Sequence, residues 1–231
     1  MVSFNWLARY VDYCERWFYA RFPWLLRKRQ SKGYGIHSPF AFDLITNVIY
    51  SPHHFYAFFD IWETLSQNDI SPEYITRFNY LSFRLVHYLQ AENILEINSG
   101  IGINSLFLTA LSSRIHCKCL EVETEKIAVA GRLQEQTDRK WKMISSLSDC
   151  EGETYDAIFV DFQRSCIPDI QTLLEMSHSN TFWVFGAIKK GIGKQFWNKI
   201  VLDERTRMTF DLKDTGIVFL RPDLSKANYL V

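Results

Sequence analysis

The stretch that decides the fold is NILEINSGIGINS, residues 93–105. Its first five residues, 93–97, form a short, mainly apolar run that is typical of a buried strand. Gly100 and Gly102 then mark a tight turn, and an apolar helical pattern begins directly after them. A strand, a tight turn and a helix start in this order is where α/β proteins bind nucleotide-like ligands.

Strands and helices alternate regularly after this stretch. The predicted strands are 93–97, 115–122, 141–144, 155–161, 181–185, 208–212 and 217–220, and the predicted helices between them are 104–111, 124–136, 168–176 and 194–201. This alternation predicts an α/β, Rossmann-like, doubly wound and mostly parallel seven-stranded sheet with helices on both faces. The last two predicted strands form an antiparallel hairpin, which is not how a nicotinamide-binding Rossmann domain ends.

The upstream part, 1–73, is predicted to be a helical and aromatic cap on a domain that spans 74–231. Its predicted elements are an amphipathic helix within 4–30, a helix over 40–50 that Ser38 and Pro39 begin, and an aromatic loop over 51–73. A further amphipathic helix over 74–89 leads into the opening strand.

Basic and aromatic side chains are concentrated near the N-terminus. Residues 1–36 hold seven Arg or Lys and two acids, although the whole chain of 231 residues has no net charge. The helix within 4–30 is expected to pack on the main domain or on a second copy in a homo-oligomer, and peripheral membrane contact is the alternative. Two acids among the bases argue against nucleic acid, and no apolar run reaches the ~18 residues that a transmembrane helix needs.

The five cysteines are odd in number and include no C-x-x-C pair. Cys117 and Cys119 are two residues apart in a predicted strand, so they share a face but cannot easily form a disulfide. This pattern favours reduced thiols in a cytoplasmic protein over a disulfide or zinc framework.

The glycine turn fits one nucleotide motif better than another. A dinucleotide fingerprint, G-x-G-x-x-G, aligned on Gly100 lacks two of its three glycines. The pattern E-x-G-x-G-x-G matches at Glu96, Gly100 and Gly102, while Asn98 and Asn104 replace the other two glycines. Because asparagine tolerates a left-handed backbone, Asn98 is predicted to hold the turn in that conformation.

Residues beyond the turn extend the candidate ligand site. Glu121 ends the second predicted strand, about twenty residues on, where an acid accepts hydrogen bonds from ribose hydroxyls. A solvated strand-end acid is the alternative for Glu121, and Ser146 falls after strand three, where adenine is usually contacted. The predicted cofactor-binding residues are Glu96, Asn98, Ser99, Gly100, Gly102, Asn104, Ser105, Glu121, Val122 and Ser146.

These segments together resemble class I S-adenosylmethionine-dependent methyltransferases, closest to the small O-methyltransferase-like members. The resemblance rests on residues 93–102, 120–123 and 155–161 and covers about 74–221. Residues 35–40, GIHSPF, are also similar to the N-terminal segment of a bacterial subgroup whose family name identifies no acceptor. The resemblance implies S-adenosylmethionine as cofactor and in-line methyl transfer to a small-molecule acceptor.

Asp161, at the end of the fourth predicted strand, is the first candidate general base, and His37 is the second. A structural hydrogen-bonding role is the alternative for His37. In metal-dependent O-methyltransferases the aspartate that matches Asp161 ligates a divalent cation beside an acid two residues later. Here that position is Gln163, and the further acid after strand five is also missing, so no metal is expected.

Two questions stay open in the sequence. Lys189, Lys190 and Lys194 form either a lip that attracts an anionic substrate or a solvated loop. The departures at Asn98, at the metal acids and at Gly186 also fit an inactive methyltransferase-like domain with a binding or assembly role.

Overall fold

The computed structural model describes residues 21–163 and 167–231, and this part of the chain contains an eight-stranded sheet. Its strands are β1 (Asn93–Ile97), β2 (His116–Leu120), β3 (Trp141–Ile144), β4 (Tyr155–Asp161), β5 (Ser177–Gly186), β6 (Met208–Asp211), β7 (Gly216–Phe219) and β8 (Ala227–Leu230). They lie side by side in the order β3-β2-β1-β4-β5-β7-β6-β8. The predicted fold class is confirmed, with β8 as an additional strand that the sequence did not predict.

Helices precede and alternate with these strands. They are α1 (Pro23–Gln30), α2 (Pro39–Asp43), α3 (Tyr56–Gln67), α4 (Arg77–Leu89), α5 (Ile103–Thr109), α6 (Thr124–Glu135), α7 (Ile170–Glu175) and α8 (Gly191–Leu202). A π-helical turn, Leu44–Ile49, continues α2, and 3-10 turns occupy Pro72–Tyr74 and Leu147–Cys150. Ser38 caps α2 as predicted, since its side chain accepts a hydrogen bond from the N–H of Ala41.

The strand order creates one switch point, between β1 and β4. β1 pairs in parallel with β2 on one side and with β4 on the other, so the chain moves outward in opposite directions from this pair. Asp156 fixes the register of β4 at the other edge, because its carboxylate accepts the N–H groups of Glu92 and Asn93 at 2.9 and 2.8 Å. Ligands of open α/β sheets bind outside the carboxyl ends of the strands at such a point.

The prediction of a loop over 51–73 is wrong, because the helix α3 occupies most of this segment. Its buried residues Phe58, Ile61 and Leu65 repeat at helical spacing, while the tyrosine, phenylalanine and tryptophan on its other side stay exposed. Rings on both faces obscure the apolar period in the sequence. The helix forms because its buried side packs on α5 and the sheet.

The upstream helices and the sheet share one hydrophobic core. Leu44, Ile61 and Leu65 of the upstream part belong to the same buried cluster as Phe107 and Phe159. The boundary at 73/74 therefore stays a prediction, although both parts contribute to a common core. A second buried cluster lies on the opposite face of the sheet, under α7 and α8.

The described end of the basic N-terminal segment contacts the main domain. In α1, Gln30 Oε1 accepts the N–H of Leu230 at 2.7 Å, and Arg27 forms an ion pair with Asp211 at 2.9 Å. Packing on the main domain is thus confirmed for α1, whereas the rest of the predicted helix, residues 4–20, lies outside the described residues. No helix in 21–163 or 167–231 is both long and apolar enough to cross a bilayer.

The terminal hairpin should tolerate no side chain at Gly216. A Cβ added there would overlap the indole ring of Trp197, which packs against β7 from α8. We expect Gly216→Ala to lower the free energy of unfolding by about 1–3 kcal/mol, measured by urea denaturation. Gly131→Ala in α6 is the control, since an added Cβ meets nothing within 4 Å there. The control should raise stability by about 0.5–1 kcal/mol, and equal effects of the two changes would contradict this packing.

Candidate functional site

The glycine turn after β1 has three residues in the left-handed backbone region. The φ angles are 64° at Asn98, 65° at Gly100 and 86° at Gly102. Glycine adopts this region without steric cost, and asparagine is among the residues that tolerate it best. The prediction that Asn98 holds a left-handed conformation is therefore confirmed.

Asn98 also joins the ends of three neighbouring strands. Its side-chain Nδ2 donates to the main-chain oxygen of Asp161, at the end of β4, over 2.8 Å. Its main-chain N–H donates to the carbonyl of Leu120, at the end of β2, over 2.9 Å. A glycine here could make only the second of these bonds, so the departure from the motif adds a contact that fixes Asp161.

Glu121 is buried and holds the turn from the side of β2. One carboxylate oxygen accepts the N–H of Gly100 at 2.9 Å, and the other accepts those of Val122 and Glu123 at 2.9 and 3.1 Å. Only 2% of the residue is exposed. The solvated strand-end alternative is therefore excluded, while the ribose role stays a proposal.

Glu96 is a buried carboxyl at the base of the turn. Ser105 Oγ donates to Glu96 Oε2 at 2.6 Å, which links β1 to the first turn of α5. Burial raises the pKa of Glu96 to about 7, and repulsion from Asp161 adds to this rise. The hydrogen bond from the Ser105 hydroxyl opposes the rise most strongly, so Glu96 can hold or release a proton near neutral pH.

A cavity of about 1500 Å³ opens at the carboxyl edge of the sheet, between the strand ends and the upstream helices. It brings together five of the predicted site residues: Glu96, Asn98, Ser99, Asn104 and Asp161. Gln163 also lines it, and its N–H donates to Asp161 Oδ1 at 3.0 Å. The cavity exceeds the roughly 300–1,000 Å³ of a typical small-molecule site, so it has room for two ligands.

Other predicted residues lie around the cavity rather than in its lining. The turn itself contains Gly100 and Gly102. Ser105, in α5, is fully buried. Val122 is 53% exposed next to Glu121. Ser146 is exposed and caps the 3-10 turn, where its Oγ accepts the N–H of Ser148 at 3.2 Å.

His37 lies away from Asp161. Three residues later, Phe40 packs on Phe219 with ring centroids 5.0 Å apart and faces the guanidinium of Arg221. Phe219, at one end of β7, pairs with Phe182 of β5. Gly216, at the other end of β7, pairs with Phe185, near the carboxyl edge of the sheet. His37 is exposed and does not line the cavity, so the geometry gives it no role beside Asp161.

Two buried polar atoms next to the cavity have no hydrogen-bond partner among the described residues, 21–163 and 167–231. They are the hydroxyl of Ser99 and the amide nitrogen Nδ2 of Asn104, in residues that are 8% and 6% exposed. Asn104 Oδ1 is already bonded by Asn79 Nδ2 at 3.1 Å. Because unpaired buried polar groups are costly, these atoms suit a polar ligand that reaches the turn.

Glu96, Cys117 and Cys119 lie close enough together to suggest a metal site, and all three are buried. The two sulfur atoms are 3.6 Å apart and form no disulfide, as the sequence predicted. Burial raises the pKa of the Cys119 thiol well above its usual range, so this group stays protonated and is a poor metal ligand.

Solved structures of methyltransferases have the same fold. A Podospora anserina methyltransferase bound to SAH superposes with a TM-score of 0.57 at 14% identity, covering 80% of this chain and 97% of that one. An O-methyltransferase from Bacillus cereus in complex with SAH gives 0.51 at 18% identity, covering 77% and 96%. TomG, an O-methyltransferase of tomaymycin synthesis from Streptomyces achromogenes in complex with SAM, gives 0.52 at 15%, covering 73% and 91%. No protein-family model and no curated protein matches the sequence.

The chain therefore has the Rossmann-like fold of O-methyltransferases.

The candidate site differs from the sequence-based prediction in the residues that surround the turn. Tyr50, Phe59 and Trp62 line the cavity, but sequence analysis placed two of them in a loop and gave none a role. The grouping of aromatic residues over 50–62 was the available signal.

The two roles of Asn98 can be separated by substitution. Asn98→Gly keeps the left-handed backbone but loses the bond to Asp161, so we expect a loss of about 1 kcal/mol in unfolding free energy. Asn98→Ala also forces a Cβ into the left-handed region and should cost about 1 kcal/mol more. Urea denaturation measures both variants. Equal stability of the glycine variant and the wild type would show that the side-chain bond contributes nothing.

The buried Glu96 should make stability depend on pH. Its folded-state pKa, about 7, lies above the ordinary 4.5, so the folded protein binds the proton more tightly than the unfolded chain. Stability should therefore fall by roughly 3 kcal/mol as pH rises from about 4.5 to about 7. Urea denaturation at several pH values should show that Glu96→Gln removes this slope, whereas the exposed control Glu204→Gln keeps it. A slope that persists in Glu96→Gln would place the titration elsewhere.

Proposed function

We propose that this protein is an S-adenosylmethionine-dependent methyltransferase acting on a small-molecule acceptor. One observation carries the proposal. The left-handed turn at Asn98, Gly100 and Gly102 sits at the switch point of the sheet and adjoins a cavity with room for two ligands. The fold shared with solved methyltransferases supports the same conclusion.

The residues around the turn suit the two ends of this cofactor. Ser99 and Asn104 would bind the polar amino-acid end, where their buried hydroxyl and amide lack partners. The acids Glu96 and Asp161 would attract its ammonium group. Glu121, Val122 and Ser146 would hold the ribose and adenine, which requires the ribose hydroxyls to replace some of the N–H groups that now bond Glu121.

When bound, S-adenosylmethionine would supply a methyl group activated by its sulfonium: the acceptor's nucleophile would bond to the methyl carbon while the carbon–sulfur electron pair leaves with sulfur, which becomes a neutral thioether. The chain's part is then to orient the acceptor and to take its proton. Asp161 would accept that proton, and its place in the cavity lining and the bond from Asn98 to its backbone support this role. Glu96, with its pKa near neutrality, would be a second proton acceptor in the same lining, which does not include His37.

The proposal includes a cytoplasmic location and no resident metal. Free thiols at Cys117, Cys119 and Cys150 in the described part of the chain support a reducing compartment. Gln163 in place of an acid beside Asp161 supports chemistry without a divalent cation. Self-association or membrane contact through residues 4–30 stays a prediction.

Calorimetric titration tests the cofactor. We expect S-adenosylmethionine to bind with a micromolar Kd and a nicotinamide dinucleotide not to bind. Ser99→Ala and Glu121→Ala should each raise the Kd about tenfold or more, because each removes a polar partner. Glu204→Ala, an exposed change remote from the cavity lining, should leave the Kd unchanged.

The outcomes separate the candidate functions. Binding of the dinucleotide alone would favour a dehydrogenase and overturn the proposal. Binding of neither ligand by folded protein would favour the inactive domain with a binding or assembly role.

A further inference from the structure

Exposed aromatic side chains form one wall of the cavity. Phe59 and Trp62 of α3 and Tyr74 of the following 3-10 turn all line it, and they are 60%, 43% and 65% exposed. We call these three residues the aromatic wall. Phe59 and Trp62 contact edge to face at 5.9 Å, and Trp62 Nε1 donates to the Tyr80 hydroxyl at 3.1 Å. Large rings exposed together at a cavity indicate a surface that binds an apolar or aromatic partner.

Three exposed basic side chains line the same cavity, and the exposed acid Asp214 lines it next to one of them. The three basic residues are Arg77, Lys189 and Lys213, which we call the basic rim. In the part of the chain that the structure describes, none of their side chains forms an ion pair or a hydrogen bond. Cationic groups that gather at a cavity without acid partners raise the local concentration of anions.

The basic rim is assembled from the first residue of α4 and from two loops, one after β5 and one between β6 and β7. Arg77 precedes Phe78, whose ring lies 3.6 Å from the position of a Cβ on Gly186, and Lys189 follows Gly186 by three residues. The β6–β7 turn brings Lys213 to the same edge, since Ile188 N–H donates to the carbonyl of Asp214 at 3.0 Å. These contacts place all three cations around the mouth above Asp161.

A further basic side chain, that of Arg84, also lines the cavity. Burial raises the pKa of the Tyr50 hydroxyl, while attraction of its ionised form to Arg27 and Arg77 lowers it. Arg84 is half-buried in the lining, where it bonds the carbonyls of Ser51 and Ile49 at 3.0 and 3.3 Å. The cavity lining therefore holds the half-buried Arg84 as well as the exposed cations of the basic rim.

We infer that the outer part of the cavity binds a methyl acceptor that carries both an aromatic ring system and an anionic group. The aromatic wall would contact the rings, and the basic rim would hold a carboxylate, sulfonate or phosphate. That the ligand is a methyl acceptor rests on the proposed function, whereas binding of an aromatic anion at this site requires no cofactor. The two acids at the turn, Glu96 and Asp161, then face the cofactor and the reacting end of the acceptor.

A matched pair of fluorescent probes tests this inference without knowledge of the natural acceptor. 8-Anilinonaphthalene-1-sulfonate is an aromatic anion, and N-phenyl-1-naphthylamine is the same ring system without the sulfonate. We expect the folded protein to bind the anion at least about fivefold more tightly, because only the anion can contact the basic rim. Equal Kd values for the two probes, or no binding of either, would overturn the inference.

Single substitutions test which residues bind the rings of the probe and which bind its sulfonate. Arg77→Ala and Lys189→Ala should each raise the Kd of the anionic probe about threefold to tenfold and change that of the neutral probe less than about twofold. Trp62→Ala should weaken both probes, and Lys199→Ala, an exposed cation of α8 outside the lining, should weaken neither. Circular dichroism confirms that each variant is folded. A loss of anion binding in Lys199→Ala equal to that in Lys189→Ala would show that the probe reads surface charge and not this site.

The same variants distinguish failure here from failure of the proposed function. Lys189→Ala should bind S-adenosylmethionine as the wild type does, because the lysine lies on the acceptor side. If the probes discriminate as expected but S-adenosylmethionine does not bind, the anionic aromatic site stands and the methyltransferase proposal fails. If S-adenosylmethionine binds and the probes do not discriminate, the methyltransferase proposal stands and the inference of an anionic aromatic site fails.

Discussion

The hydrogen bond from Asn98 to the backbone of Asp161 holds the site together. It crosses the switch point, where β1 and β4 diverge to opposite halves of the sheet. A turn that opens toward a ligand cannot be closed by the usual ladder of strand hydrogen bonds, so a side chain must connect the two strand ends. An asparagine in the left-handed region makes this connection without displacing the turn, whereas glycine would leave the ends unlinked. The departure from the glycine motif therefore does not by itself indicate a decayed site.

Charge is distributed unevenly across the cavity that this turn adjoins. The inner part holds the buried Glu96 and the half-buried Asp161, and the outer part holds exposed cations and aromatic rings. The raised pKa of Glu96 reflects chiefly the cost of burying its carboxylate away from water, to which repulsion from Asp161 adds. A cationic ligand at the turn would relieve that cost, and an anionic ligand would suit the outer part. The cavity is thus suited to two ligands of opposite charge.

The sequence predicted the sheet well because its strands are short apolar runs bounded by turns. Strands β3 and β4 begin and end at the predicted residues, and the antiparallel hairpin was read from the segment between β6 and β7. It missed β8, a four-residue edge strand whose residues are half-exposed or exposed and which pairs with β6. It also missed α3, because rings on both sides of that helix hide its apolar period.

Sequence analysis predicted the backbone of the turn, but it did not predict the residues that other elements contribute to the cavity. A left-handed Asn98 follows from local backbone preference, and the position of Asp161 follows from strand order. The pKa of Glu96 could not be predicted, since it depends on burial that only the packed α5 and β2 create. The basic rim could not be predicted either, because the start of α4 and two loops that are distant in sequence come together only in the folded sheet.

Hydrogen–deuterium exchange with and without S-adenosylmethionine tests the central claim most directly, because it locates the ligand on the chain. The account predicts slower exchange at the amides of 98–105 and 120–123 when the ligand is present. Amides of β8 and α7, remote from the turn, should exchange at unchanged rates. Unchanged exchange at 98–105 under saturating ligand, or protection confined to another part of the chain, would contradict the account.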